Sequence, residues 1–125
     1  MKLRILGNKL RFRLTQNEVK ELSNGLTVSD SVDFPIGESL IYSVASDEKI
    51  SEMSASYQEE IIRVMIPAAA LKNWKNDDRE GVYHTIQSEI GPFEIAVEKD
   101  FKCLHKRPGE DETDNYPNPM EAKHS

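Results

Sequence analysis

The chain has 125 residues, 38% of them hydrophobic and 30% charged, and a formal net charge of −6. That length can bury one core without disulfides or a structural metal, and the acidic balance argues against generic binding to nucleic acid or to an anionic membrane. The lone cysteine, Cys103, has no partner within the chain, and no apolar run is long enough to span a bilayer. The opening Met1 to Gly7 is too short and too charged for a secretory signal, so a soluble cytoplasmic protein is expected.

Residues 2–6 and 9–14 alternate apolar and basic side chains around Gly7-Asn8, which predicts a hairpin with a tight turn. Thr15-Gln16-Asn17-Glu18 is a capping box and predicts a helix that buries Val19 and Leu22 and stops near Gly25. Strands are expected at 30–34 and 39–45 around Pro35-Ile36-Gly37, with Leu40, Tyr42 and Val44 on one face. Two more, over 50–57 and 61–66, are joined by a polar turn near Gln58-Glu59-Glu60. Pro67 suits the first position of a helix, which is predicted from Ala68 to Asn76. Strands at 81–87 and 92–99 follow around Gly91-Pro92. After Asp100 the apolar periodicity ends. Pro108-Gly109, the acidic run Glu110 to Asp114, and Pro117-Asn118-Pro119 mark an irregular tail.

These elements fall into two similar halves. Leu10, Phe12, Leu14, Val19 and Leu22 have the spacing of Ile62, Val64, Ile66, Leu71 and Trp74, while Lys20 and Asn24 answer Lys72 and Asn76. The expectation is an α+β, β-rich fold of two strand-helix-strand-strand halves with pseudo-twofold symmetry, forming a barrel or paired antiparallel sheets. The duplicated domain covers 1–100, with halves of about 1–48 and 49–100, and the tail 101–125 packs on it in part. The stretch Val64-Met65-Ile66-Pro67-Ala68-Ala69-Ala70-Leu71 resembles the swapped-hairpin barrels of AbrB-type transition-state regulators. That resemblance bears on fold.

Three features could carry chemistry. Lys2, Arg4, Lys9, Arg11 and Arg13 share one face of the N-terminal hairpin with no interleaved acid. They suit an anionic ligand or an acidic protein segment, against the plainer reading of a solvated sheet face. Cys103 and His105, two apart in an extended chain, could share a divalent metal with Asp111 and Asp114, with Glu110 and His84 as further donors. A structural zinc site brings two such pairs, however, and only one is present. The acidic run Glu110 to Asp114 lacks the glycine and spacing of a calcium loop and could instead dock on the basic hairpin. His84, alternating with Val82 and Ile86, and Trp74 and Tyr42 read as core. No phosphate-binding glycine loop, nucleophile elbow or dinucleotide fingerprint appears.

Glu98 to His105, Glu110 to Pro119 and the opening Met1 to Leu22 together resemble a family of short bacterial proteins of unknown function. The resemblance implies that the tail belongs to the domain and supplies no activity. The functional expectation is a non-enzymatic binding or interaction module without a required cofactor, its surfaces the basic hairpin and the Cys103–Asp114 segment. The alternatives are a metal-binding protein or small metal-dependent enzyme at Cys103 and His105, and a DNA-binding regulator of swapped-hairpin type. Nucleic acid and membrane are the less expected partners.

Overall fold

Alternation of apolar and polar residues writes eight strands into this chain, and a computed structural model describes residues 1–102 and 111–119 of it. Strands β1 (Lys2–Ile5) and β2 (Lys9–Leu14) form the predicted hairpin. Its turn is closed by reciprocal backbone bonds between Leu6 and Lys9, each 3.1 Å. Helix α1 (Gln16–Ser23) begins where the capping box places it. Thr15 Oγ1 accepts from Glu18 N at 3.3 Å, and Glu18 Oε1 accepts from Thr15 N at 2.9 Å, so two otherwise orphaned donors are satisfied. Then come β3 (Val28–Asp33), β4 (Ser39–Asp47), β5 (Ser54–Gln58), β6 (Ile61–Pro67), β7 (Gly81–Ser88) and β8 (Gly91–Lys99).

The strands form two four-stranded sheets, ordered β1-β2-β8-β7 and β3-β4-β6-β5. The fold is α+β and β-rich. Neither sheet is purely antiparallel, which corrects that part of the expectation. Each has a parallel pair at its centre, β2 with β8 (Leu10 opposite Ile95, Phe12 opposite Val97) and β4 with β6 (Tyr42 opposite Ile62, Val44 opposite Val64). Four antiparallel hairpins supply the outer pairs. A central strand with neighbours on both sides keeps every backbone group paired. The most buried strand residues (Phe12, Leu14, Val44, Val64, Ile66 and Val97) accordingly lie on β2, β4, β6 and β8. Val19 and Leu22 of α1 close the same core, with Leu71 and Trp74.

The second predicted helix does not form. Ala68–Leu71 makes a single 3-10 turn, Lys72 is extended, and Asn73 takes a left-handed φ of 64°. The carbonyls a helix would satisfy internally are taken otherwise. Arg79 donates through Nη1 to Ala70 O and through Nη2 to Lys72 O, each at 2.9 Å. Trp74 is fully buried and donates through Nε1 to Arg79 O at 3.0 Å. The apolar spacing that predicted a helix instead places Leu71 and Trp74 in the core through a pinned loop.

Candidate functional site

The five hairpin cations lie on the outward side of β1 and β2, and the register sets Lys2 opposite Arg13 and Arg4 opposite Arg11. Directly opposed like charges destabilise a sheet unless an anion intervenes. The anions come from β8 and the residue after it. Arg11 Nε lies 3.1 Å and Arg13 Nε 4.0 Å from Glu98 Oε1, and Lys2 Nζ lies 3.2 Å from Asp100 Oδ2. The other Glu98 oxygen accepts from Tyr83 Oη at 2.8 Å. Burial, together with the Glu98 carboxylate that accepts its hydrogen bond, raises the Tyr83 phenol far above its ordinary range. Gly81 makes this packing feasible, since a Cβ there would stand 2.6 Å from Val97 O and 2.9 Å from Glu98 Cγ. Two of the five cations, Arg11 and Arg13, therefore face a carboxylate that is itself buried, and Lys2 pairs with Asp100. Arg4 and Lys9 have no ion pair among the described residues. With Leu6 and Arg11 they line a small hollow of about 70 Å³.

The segment 111–119 meets the start of α1 and the chain just after β8. Asp114 meets the start of α1, where its backbone oxygen accepts from Gln16 N at 2.9 Å and Oδ2 from Asn17 N at 3.2 Å. Free N–H groups and the helix dipole make that end the natural place for an acid. Tyr116 bridges to Phe101 through backbone bonds Tyr116 N to Asp100 O and Lys102 N to Tyr116 O, both 2.7 Å. Its ring lies 5.2 Å from Lys99 Nζ, which also sits 5.9 Å from the Trp74 ring and donates to Asp77 O at 2.6 Å. Burial pushes the Lys99 ammonium below its usual range, with the Asp77 charge opposing. Burial pushes the Tyr116 phenol up to about 12.

The proposed metal donors are not assembled among the described residues. Cys103, His105 and Glu110 lie outside them. Asp111 Oδ1 accepts from Thr113 N at 2.9 Å, while Asp114 caps α1. His84 is half-buried on β7 opposite Ile95. No group of three or more His, Cys, Asp or Glu side chains is placed to hold an ion among the described residues.

A different surface stands out at the end where the hairpins turn. Leu10, Phe93, Leu40, Ile62, Ala55 and Tyr57 line an apolar hollow of about 360 Å³ between the sheets. A second hollow, about 320 Å³, adjoins it through Leu40 and Tyr57 and is lined by Phe34, Glu38 and Glu60. The hairpin turns near this mouth present Leu6, Ile36 and Ile90 to solvent, Ile36 at 96% exposure. A family model described as a family of unknown function (DUF7009) matches residues 1–120. The chain belongs to that family. The match runs through both sheets and the docked segment 111–119. No curated protein and no solved structure matches the chain.

The mouth escaped the sequence reading because Leu40 and Phe93 look like ordinary strand residues. The usable signal was in the turns. Leu6-Gly7, Ile36-Gly37 and Ile90-Gly91 each place an aliphatic beside a positive-φ glycine, where hairpin turns ordinarily carry polar side chains.

Proposed function

We propose that this protein is a non-enzymatic binding module that takes an extended segment of a partner protein at the mouth between its sheets. The observation that carries the reading is the apolar hollow of about 360 Å³ bordered by the free edge of β5. Among the described residues β5 pairs only with β6, through a two-residue turn in which Glu59 and Glu60 both have positive φ and Gln58 faces Ile61. In such a hairpin the hydrogen-bonded pairs alternate from the turn, so the backbone groups of Ala55 and Tyr57 point away from β6. An extended segment can pair with that edge and set an apolar side chain among Leu40, Ile62 and Phe93. Glu38 and Glu60 line the adjoining hollow with no cation beside them, so the matching segment alternates apolar with basic residues. The anionic partner expected for the hairpin is supported less, because Glu98 and Asp100 already engage Lys2, Arg11 and Arg13. The same engagement weakens the DNA-binding alternative.

The fold reading that goes with this proposal is internal duplication, with pseudo-twofold symmetry and a barrel-like arrangement of the two sheets. The pairing registers support it. Lys2 opposite Arg13 is answered by Ser54 opposite Met65, Leu10 opposite Ile95 by Ile62 opposite Tyr42, and Val28 opposite Val44 by Val82 opposite Val97. Each match shifts both partners by a nearly constant number of positions. On this reading Leu10 with Ile62, and Leu40 with Phe93, are equivalent pairs, so the mouth straddles the axis. The halves divide near residues 48 and 49, and the segment 111–119 is a strap belonging to the same domain.

The test is selection from a library of randomised decapeptides. Recovered peptides are expected to alternate apolar residues with Lys or Arg and to shift the amide resonances of Ala55 and Tyr57. They are expected to lose binding to a Tyr57→Lys variant, which substitutes a 64%-exposed side chain and so leaves the core intact. Equal binding to that variant would overturn the reading.

A further inference from the structure

A second cavity, of about 350 Å³, is of opposite character. Its lining includes Ser23, Asn24, Ser46, Lys72, Lys75 and Asn76, with Asn73 beside them and no carboxylate. It lies where the end of α1 meets the loop that replaced the second helix. We propose that this cavity is a binding site for a small hydroxylated phosphate monoester, of the sugar-phosphate class.

Polar surface side chains ordinarily find partners within their own protein or point freely into water. Here seven converge on one cavity. Among the described residues, the side chains of Asn24, Ser46, Lys72, Asn73, Lys75 and Asn76 make no hydrogen bond or ion pair. Ser23 Oγ is shut off from solvent and also lacks a hydrogen-bond partner there. Two ammonium groups without a counter-anion, in a chain of net charge −6, select a compact dianion. The three carboxamides can each donate and accept, which suits hydroxyl groups beside the phosphate.

The loop is built to hold these groups still. Lys72, Asn73, Lys75 and Asn76 flank Trp74, which is fully buried. Arg79 clamps the carbonyls of Ala70 and Lys72, and Asp77 Oδ2 holds Arg79 Nε at 2.8 Å. That pairing turns the Asp77 carboxyl toward Arg79, whose hydrogen bonds hold it below its usual range despite some burial. The end of a helix ordinarily repels anions through its free carbonyls. In α1 the carbonyls of Lys20, Glu21 and Leu22 are occupied by the N–H groups of Asn24, Leu26 and Gly25, which blunts the repulsion. The cavity's size excludes a polymer, and the acidic chain as a whole repels one.

The experiment is a titration of the isotope-labelled full chain with inorganic phosphate, ribose 5-phosphate and ribose at constant ionic strength. Saturable amide shifts are expected at Ser23, Asn24 and Lys72 to Asn76, with ribose 5-phosphate binding more tightly than phosphate and ribose not at all. A Lys72→Gln, Lys75→Gln double variant substitutes exposed side chains. It should keep the native spectrum and weaken ribose 5-phosphate binding by tenfold or more. Phosphate and ribose 5-phosphate binding equally would overturn the monoester assignment. Absent shifts, undiminished binding by the variant, or shifts centred on Arg4 and Lys9 would overturn the site. None of these outcomes depends on the mouth between the sheets.

Discussion

Residues 15–24 and 67–76 each follow a central strand, and each sends two apolar side chains into the core in the same order, Val19 and Leu22 from one, Leu71 and Trp74 from the other. The first segment is an α-helix and the second a 3-10 turn followed by a pinned loop. Burial therefore does not decide the backbone conformation. End chemistry does. Thr15 and Glu18 close the front of α1, whereas Pro67 starts the second segment with no side-chain cap and Arg79 reaches back from outside to take its carbonyls.

The comparison is broken most severely by emptying the core position of the second segment. Trp74→Ala should cost about 3–5 kcal/mol, read from chemical denaturation, because a fully buried indole leaves a cavity and strands the Arg79 carbonyl. Leu22→Ala, its counterpart, should cost about 2–5 kcal/mol and fall below Trp74→Ala. A smaller effect separates the two modes of support. Arg79→Ala should cost about 1–2 kcal/mol and speed amide exchange between Lys72 and Asp77. Arg79→Lys should restore little of it, since one ammonium cannot reach both carbonyls as the planar guanidinium does. Thr15→Ala should cost about 1 kcal/mol, with faster exchange confined to the first turn of α1. An Arg79→Ala protein as stable as wild type would show that the loop holds without its clamp.

The smallest effect is the pH dependence of the strap that covers this region. Tyr116 is pushed up to about 12 by burial and the nearby Asp114 charge, against 10.0 when unfolded. The folded chain therefore keeps a proton that the unfolded chain loses. The stability this contributes is complete below pH 10 and disappears as pH rises to about 12. Tyr83 and Tyr42, also raised, act in the same sense. Lys99, lowered by burial, acts in the opposite one as pH approaches 10.5. Denaturation at a series of alkaline pH values should show stability falling, and Tyr116→Phe should remove part of the fall.

Sequence periodicity made the strands legible because each alternation is local. Strand order was not, since nothing in Leu10 or Phe12 names Ile95 and Val97 as parallel partners. The capping box of α1 was legible for the same local reason. The second helix was misread because Ala68-Ala69-Ala70-Leu71 has high helical propensity, while the group that overrides it, Arg79, lies beyond the window. The hairpin cations were legible, but the counter-charges of Lys2 and Arg11, Asp100 and Glu98, arrive from the far end of the domain. The two cavities were invisible because each is made by residues from both halves of the chain.

The parallel pairing of β2 with β8 has a further consequence for how the molecule comes into being. Leu10, Phe12 and Leu14 are synthesised well before the strand that covers them, which ends at Lys99. During synthesis the N-terminal hairpin must wait, with its apolar face uncovered, while nearly the whole domain is made. In that waiting hairpin Lys2 faces Arg13 and Arg4 faces Arg11, like charges directly opposed. When β8 arrives, Glu98 and Asp100 discharge that repulsion in the same step that buries the core.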